Sequence, residues 1–384
     1  MDPQRVAVAA LGVLLALGAG CKKDGGDGGA DAGNGGCPPT QYPCASGCCD
    51  CPEPDVASAV TLVEGGGVGV FAGGDLDGDG RMDVALARNT GGVLVFYAAR
   101  CGGLTPGPTG LDAVQATGLA VADVDGTGVH SLVALGTDHV LYALEGTDLT
   151  MRWSATVPTA GPTGRIVAAK LDGDADQDVA AFDQMLGYLA LVDDSAMAWT
   201  PVAPAPLPAA MLYASAGDLG DGPRDELLLT GSGGFYELVS TGDLAYTDMR
   251  TVNAGAHGPA AVADFDGSGT PDVLVVSDGM LLRYSGDGAT NLAYVETFDV
   301  PTANSGIDLV PMERDGAPPA EAALLQNGGG MFVVSAAGGA LGVVTQAMAN
   351  ASARRIFAGD LDGDGRDDVV ALGLDGVATI WRTP

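Results

Sequence analysis

Residues 74–86 read GDLDGDGRMDVAL, and residues 359–372 read GDLDGDGRDDVVAL. What lies between these near-identical phrases decides the fold. Aligned on them, related segments stand at 122–135 (ADVDGTGVHSLVAL), 169–182 (AKLDGDADQDVAAF), 217–230 (GDLGDGPRDELLLT) and 263–276 (ADFDGSGTPDVLVV), with a worn copy at 310–325 (VPMERDGAPPAEAALL). Their first positions fall at 75, 123, 170, 218, 264, about 311 and 360, a period of 46–49 residues. A steady period of this length indicates a solenoid, a propeller or an array. In chain order the segments mark units one to seven.

The content of one period selects among these. In 118–157 an apolar run, GLAVA, enters the acidic loop, LVAL leaves it, HVLYALE follows a turn and TMRWSATV closes the unit. Short apolar and β-branched runs separated by Gly/Asp turns read as strands, with no sustained helical period. Four strands per unit predict an all-β, seven-bladed β-propeller of four-stranded blades. The seventh unit stops after GVATIW (376–381), its third strand, while VASAVTLVE (56–64) precedes unit one unassigned. This N-terminal strand is expected to complete the last blade, closing the ring and removing an exposed edge.

In DLDGDGRMD, carboxylates occupy positions 1, 3, 5 and 9: Asp75, Asp77, Asp79 and Asp83. Position 7, Arg81, offers its backbone carbonyl, and Gly80 permits a sharp bend. Oxygen ligands at alternating positions follow the logic of an EF-hand calcium loop, although position 12 is Leu86 rather than Glu. Four carboxylates held together without a cation repel, each close pair by about 1–4 kcal/mol. Unit seven repeats the set as Asp360, Asp362, Asp364 and Asp368 with Arg366 at position 7, and unit five as Asp264, Asp266, Ser268, Thr270 and Asp272. Calcium is therefore expected in units one, five and seven. Units two, three and four stay open: unit two has Ser131 at position 9, unit three has Lys170 at position 1, and unit four reads as one residue short, keeping Asp218, Asp221 and Asp225. Unit six has lost the pattern.

VFAGGDLDGDGRMDVAL (70–86) and IFAGDLDGDGRDDVVAL (356–372) resemble FG-GAP/VCBS repeats, the blades of integrin α-chain propellers and of many bacterial surface proteins. The resemblance covers 56–384 and implies a propeller with calcium in hairpin loops between the first two strands of certain blades. It implies no single activity, because adhesion proteins and non-catalytic domains of carbohydrate-active enzymes share it.

The rest of the chain reads as export machinery and staples. Val6–Leu17 is an apolar run too short to span a bilayer, followed by small residues leading to Cys21. Residues 1–20 are thus expected to be a signal peptide. The ending resembles a bacterial lipoprotein signal, with Cys21 lipidated, although Leu17 stands one place early. Residues 21–36 form a Gly/Asp-rich tether. Within 37–55, Cys37, Cys44, Cys48, Cys49 and Cys51 crowd together, and with the distant Cys101 they make an even set expected to form disulfides. A bridge from Cys101 to this cluster would tie the N-terminal strand to the first blade; connectivity stays open.

A net charge of −32, from 49 acidic against 17 basic residues, argues against nucleic acid and suits hard cations. DVDGT (123–127) matches an aspartate-nucleophile phosphatase motif but sits in register with the other loops. His130, His139 and His257 are scattered, no G-x-S-x-G elbow occurs, and Trp153, Trp199 and Trp381 are expected to pack between blades. The expectation is a calcium-stabilised, non-catalytic, monomeric binding or adhesion module for an extracellular protein or glycan. It would be exported and lipid-anchored at the bacterial outer membrane or cell surface, or else secreted. The alternatives are a carbohydrate-active, hydrolytic or lyase domain using the propeller's top face, and a structural envelope component.

Overall fold

The computed structural model describes strands 41–44 and 47–50 and residues 57–383, except 65–66, 100, 158–163, 184–187, 194–199, 202–204, 207–210, 221–222, 240–245, 247, 256, 287–291, 301–305, 315–319 and 338. The chain divides after Cys51. In the first part, Gln41–Cys44 and Gly47–Asp50 pair as an antiparallel hairpin, Gln41 opposite Asp50.

The second part is a β-propeller. Each unit contributes an inner strand: Val68–Gly74, Ala116–Ala122, Gly164–Ala169, Met211–Gly217, Ala260–Ala263, Gly306–Met312 and Ala353–Gly359. These pack side by side in chain order, and the last returns onto the first. From each inner strand a sheet runs outward by antiparallel neighbours. Six of these sheets are regular four-stranded blades.

Unit three departs from the expected pattern. Its strands Gly164–Ala169, Asp178–Asp183 and Tyr188–Asp193 are followed by two two-residue pieces, Thr200–Pro201 and Ala205–Pro206, each pairing separately with Tyr188–Asp193. The run TPVAPAPLP (200–208) explains the break, since proline cannot donate to a ladder. In place of seven regular blades there are six, with one sheet whose outer edge is broken.

The seventh sheet closes as the sequence predicts. Ser58–Thr61 pairs antiparallel with Val377–Trp381, Val60 opposite Ala378, so an N-terminal strand supplies the outermost strand of the last blade.

The core lies between blades. Each hydrophobic cluster is shared by two consecutive units: Leu86 and Phe96 of unit one meet Leu361 and Val370 of unit seven, and Leu274 and Phe265 of unit five meet Leu324 and Phe332 of unit six. This sandwiching sets the strand patterns. Second strands such as Ser131–Gly136, Asp272–Ser277 and Asp368–Gly373 are buried at every position, so their sequences run apolar without alternation. Fourth strands such as Gly342–Met348 alternate instead, because only one face is covered. Trp381 is fully buried between units six and seven, and Trp153 packs partly buried between units two and three; Trp199 lies outside the described residues.

Candidate metal centres in the acidic loops

The aspartate at position 1 folds each complete loop around itself. Asp75 Oδ1 accepts from Gly78 N at 2.8 Å and Asp79 N at 3.1 Å, and Oδ2 from Gly80 N at 2.9 Å. Asp360 repeats this with Gly363, Asp364 and Gly365 at 2.6, 3.1 and 2.9 Å. The wrap needs left-handed backbone at positions 4 and 6, where φ is +77° at Gly78 and +82° at Gly80. A Cβ at either would touch nothing within 4 Å, so conformation rather than space requires glycine.

The acid at position 9 is a buried latch. Asp83 Oδ2 accepts from Leu76 N at 2.8 Å, and Oδ1 from Ala98 N on the third strand at 2.7 Å. Asp368 does the same with Leu361 N at 3.3 Å and Thr383 N at 3.0 Å. Asp178 accepts from Leu171 N at 3.0 Å. Two further latches escaped the sequence reading. Glu226 Oε2 accepts from Leu219 N at 2.9 Å, so unit four is not a residue short: Glu226 holds position 9 and Asp225 position 8. Glu321 Oε2 accepts from Arg314 N at 3.2 Å, which places the start of unit six at Glu313 rather than 311. The available signal was an acid directly before each apolar second strand, ELLLT and EAALL.

Position 8 links one loop to the preceding one. Its amide donates to the position-1 carbonyl: Met82 to Asp360 at 2.7 Å, Gln177 to Asp123 at 2.8 Å, Asp225 to Lys170 at 2.8 Å, Ala320 to Asp264 at 2.9 Å and Asp367 to Glu313 at 3.0 Å. The side chains of Gln177, Asp225 and Asp367 accept the reciprocal bond from the position-1 amide at 3.0, 2.9 and 2.7 Å. Unit five has Pro271 here, with no amide to give. His130 of unit two makes no such bond to Asp75 either, so five of the seven junctions are linked and the acidic loops form a belt with two gaps. The turn after the third strand of unit two buttresses it: the Tyr97 hydroxyl donates to Gly146 O at 2.8 Å. A Cβ on Gly146 would fall on the Leu76 carbonyl, 2.8 Å from its carbon. Gly146→Ala should cost about 1–3 kcal/mol by overpacking against backbone. Urea unfolding checks this: an unchanged midpoint would mean that the turn can step aside.

Four triads bring one carboxylate oxygen from each member within 4.8 Å: Asp75, Asp77 and Asp83; Asp172, Asp174 and Asp176; Asp264, Asp266 and Asp272; and Asp360, Asp362 and Asp368. Positions 5 and 7 stand outside the triads of units one, five and seven. Asp79 accepts from Arg81 N at 2.9 Å and ion-pairs with its guanidinium, Asp364 accepts from Arg366 N at 2.9 Å, and Ser268 Oγ accepts from Thr270 N at 3.2 Å.

The triads of units one and seven fit a hard cation. Their donors are oxygen only, and Asp362 Oδ1 is buried with no hydrogen-bond partner. Without a cation, burial and then the neighbouring carboxylates Asp362 and Asp364 push Asp368 up to about 8. Burial likewise pushes Asp83 up to about 7, against the lowering pull of its two amide donors. A divalent ion would offset this cost. In unit five the Arg283 guanidinium lies 2.8 Å from Asp266 and 3.5 Å from Asp272, leaving only Asp272 Oδ1 as a buried oxygen without a partner. In unit two Arg152 pairs with Asp125 and donates to Ser131 Oγ at 3.1 Å, so an arginine fills the place where the latch acid is missing.

Unit three gathers positions 3, 5 and 7 instead of 1, 3 and 9. Position 1 is Lys170, which supplies no wrapping carboxylate, and position 6 is Ala175 rather than a glycine. Lys170 is exposed and makes no ion pair among the described residues. Asp221 of unit four, Cys21, Cys37 and Cys51 lie outside the described residues, and Cys44, Cys48 and Cys49 are described in backbone only. Cys101 is held in a disulfide whose partner lies outside the described side chains.

No protein-family model matches the sequence, and no curated protein matches it. Solved structures do. A crystal structure of BBS1N in complex with ARL6DN, soaked with mercury, superposes with a TM-score of 0.64 at 12% identity, covering 86% of this chain and 97% of that one. The same complex soaked with lead gives 0.60 at 12% identity, covering 84% and 93%. At this identity the likeness is one of fold, and it agrees with the sheet order: this chain is a β-propeller.

Proposed function

We propose that the chain is an exported β-propeller of FG-GAP/VCBS type, with residues 164–206 as the third of seven blades, that binds calcium in its acidic loops and an extracellular protein or glycan through its ring. Residues 1–20 serve as signal, Cys21 as lipid anchor, 21–36 as tether and 37–55 as a disulfide-stapled neck. The calcium reading rests on the matched triads of units one and seven, in which the same three positions converge through the same amide wrap. The binding role is supported by the superposed propellers, which were crystallised in complex with a protein.

The geometry along the ring axis favours binding over glycoside chemistry. Glycosidases of the common type need two carboxylates flanking one bond. Among the described residues, the cavities along the ring axis are lined by one carboxylate, Asp308, which is paired with Arg355 at 3.1 Å.

Chelation tests the calcium reading. At ten times the dissociation constant each ion contributes about 1.4 kcal/mol. Two sites then give about 3 kcal/mol, or about 4 °C for a chain of this size. Excess chelator should lower the melting temperature by that amount, and elemental analysis of the dialysed protein should find about two calcium ions per chain. An unchanged melting curve with no bound calcium would sink the proposal. Pull-downs of extracellular extracts by the full chain, with and without calcium, test the partner: a calcium-dependent ligand is expected, and retention of none counts against the binding role.

A further inference from the structure

Two cavities succeed one another along the ring axis, of about 320 and 300 Å³. Both are lined by Arg165, Tyr213 and Arg355. These residues sit near the N-terminal ends of inner strands Gly164–Ala169, Met211–Gly217 and Ala353–Gly359, whereas the acidic loops follow the C-terminal ends. The smaller cavity is lined towards these N-terminal ends and the larger runs along the inner strands, and neither lining includes a residue of the acidic loops.

Their charge is opposite to that of the molecule. The chain carries 49 acidic and 17 basic residues, yet among the described residues the two linings hold three arginines, Arg165, Arg354 and Arg355, against Asp308 alone. Asp308 is already committed: Oδ1 takes Arg355 Nη1 at 3.1 Å, and Oδ2 takes Ile356 N at 2.8 Å. Arg354 turns to the rim, donating to Ala353 O at 2.7 Å. Arg165 makes no ion pair or hydrogen bond with any residue of the described structure. Burial, joined by the Arg355 charge across the channel, brings it down to about 10. Tyr213 and Asp308 pull the other way, and the guanidinium keeps access to the solvent of the cavity. A planar fork of five N–H donors that makes no hydrogen bond within the described structure is a preformed receptor for carboxylate or phosphate oxygens.

We propose that the axial cavity binds a small oxyanion, a carboxylate or a tetrahedral phosphate-like group, between the Arg165 and Arg355 guanidiniums with the Tyr213 hydroxyl as a further donor. Apolar neighbours, Phe71, Ile166 and Ile307, would cover the carbon part of such a ligand. The volume lies at the lower end of small-molecule sites, so the occupant is a metabolite-sized anion rather than a folded partner.

Titration calorimetry on the full chain tests this, with sodium sulfate and sodium succinate as probes and sodium chloride at matched ionic strength as reference. Saturable binding of at least one probe is expected. Stronger sulfate binding would point to phosphate-bearing ligands and stronger succinate binding to carboxylates. Arg165→Gln should weaken the better probe at least tenfold while leaving bound calcium unchanged, which separates this site from the loops. Arg165→Lys keeps the charge and loses the fork; it serves in the same way, with the same expectation, should Arg165→Gln not fold. Absence of saturable binding to both probes, or undiminished binding by the variant, overturns the proposal.

Discussion

In excess chelator, Asp83→Ala should melt well below the wild-type chain, whereas Asp77→Ala should melt at or slightly above it. Both residues belong to the same triad, yet they carry different loads. Asp83 is fully buried and is the acceptor for two buried amides, Leu76 N at 2.8 Å and Ala98 N at 2.7 Å. Truncation leaves both donors without a partner, at about 1–3 kcal/mol each. The sum, about 2–6 kcal/mol, corresponds to about 3–9 °C in a chain of this size. Asp77 accepts only a long bond from Asp79 N at 3.2 Å. Its carboxyl is raised by burial first, and then by Asp79 and Asp75. Without metal, its removal relieves repulsion. In calcium the order should change, because Asp77→Ala would then also lose the proposed ion. Asp83→Asn should fall between, since the carboxamide keeps one acceptor. Equal melting temperatures for both alanine variants in chelator would show that position 9 is merely a ligand and not a latch.

That division of labour was only half legible in the sequence. The repeat period, the inner-strand order and a closing strand within 56–64 follow from pattern alone, because a blade between two neighbours shows a fully apolar second strand and an alternating outer one, and acidic turns punctuate the units of this chain. Latch and ligand could not be separated, because both roles are written with the same letter, Asp. Glu226 and Glu321 were missed because a longer acid performs the latch without the motif around it. The arginines that fill or crowd the candidate cation positions, Arg152 and Arg283, stand 27 and 17 residues away from the carboxylates that they meet. The axial arginines are further apart still, and only ring closure brings Arg165 and Arg355 into one lining. The broken outer edge of unit three was readable in TPVAPAPLP, but the regularity of the other units outweighed it.

Replacing Ser58–Thr61 with a Gly-Ser-Gly-Ser run should open the ring and abolish its single cooperative transition. This strand is the outermost of the last blade, in register Ser58 to Ile380, Ala59 to Thr379, Val60 to Ala378 and Thr61 to Val377. The chain just beyond it is pinned as well, with Leu62 N and Val63 N donating to Gly376 O at 2.8 and 3.1 Å. Val60 packs against the cluster shared by units seven and one, beside Ala378 and Ile380. Loss of the ladder at about 0.5–1.5 kcal/mol per bond, together with the partial burial of Val60 at about 1–2 kcal/mol, removes several kcal/mol. The larger consequence is topological. Val377–Trp381 becomes an exposed edge with unpaired backbone groups, the usual template for pairing between molecules. Size-exclusion chromatography with light scattering should show larger oligomers or aggregates than the unaltered chain forms, and calorimetry a broader transition than that of the unaltered chain. A peptide of residues 56–64 added in excess should restore the size of the unaltered chain by filling the edge. The same peptide carrying Val60→Asp should not, because it would bury a charge against the cluster. A variant that keeps the size of the unaltered chain, with an unchanged transition and no response to the peptide, would show that the ring is held by blade-to-blade packing and the loop belt alone.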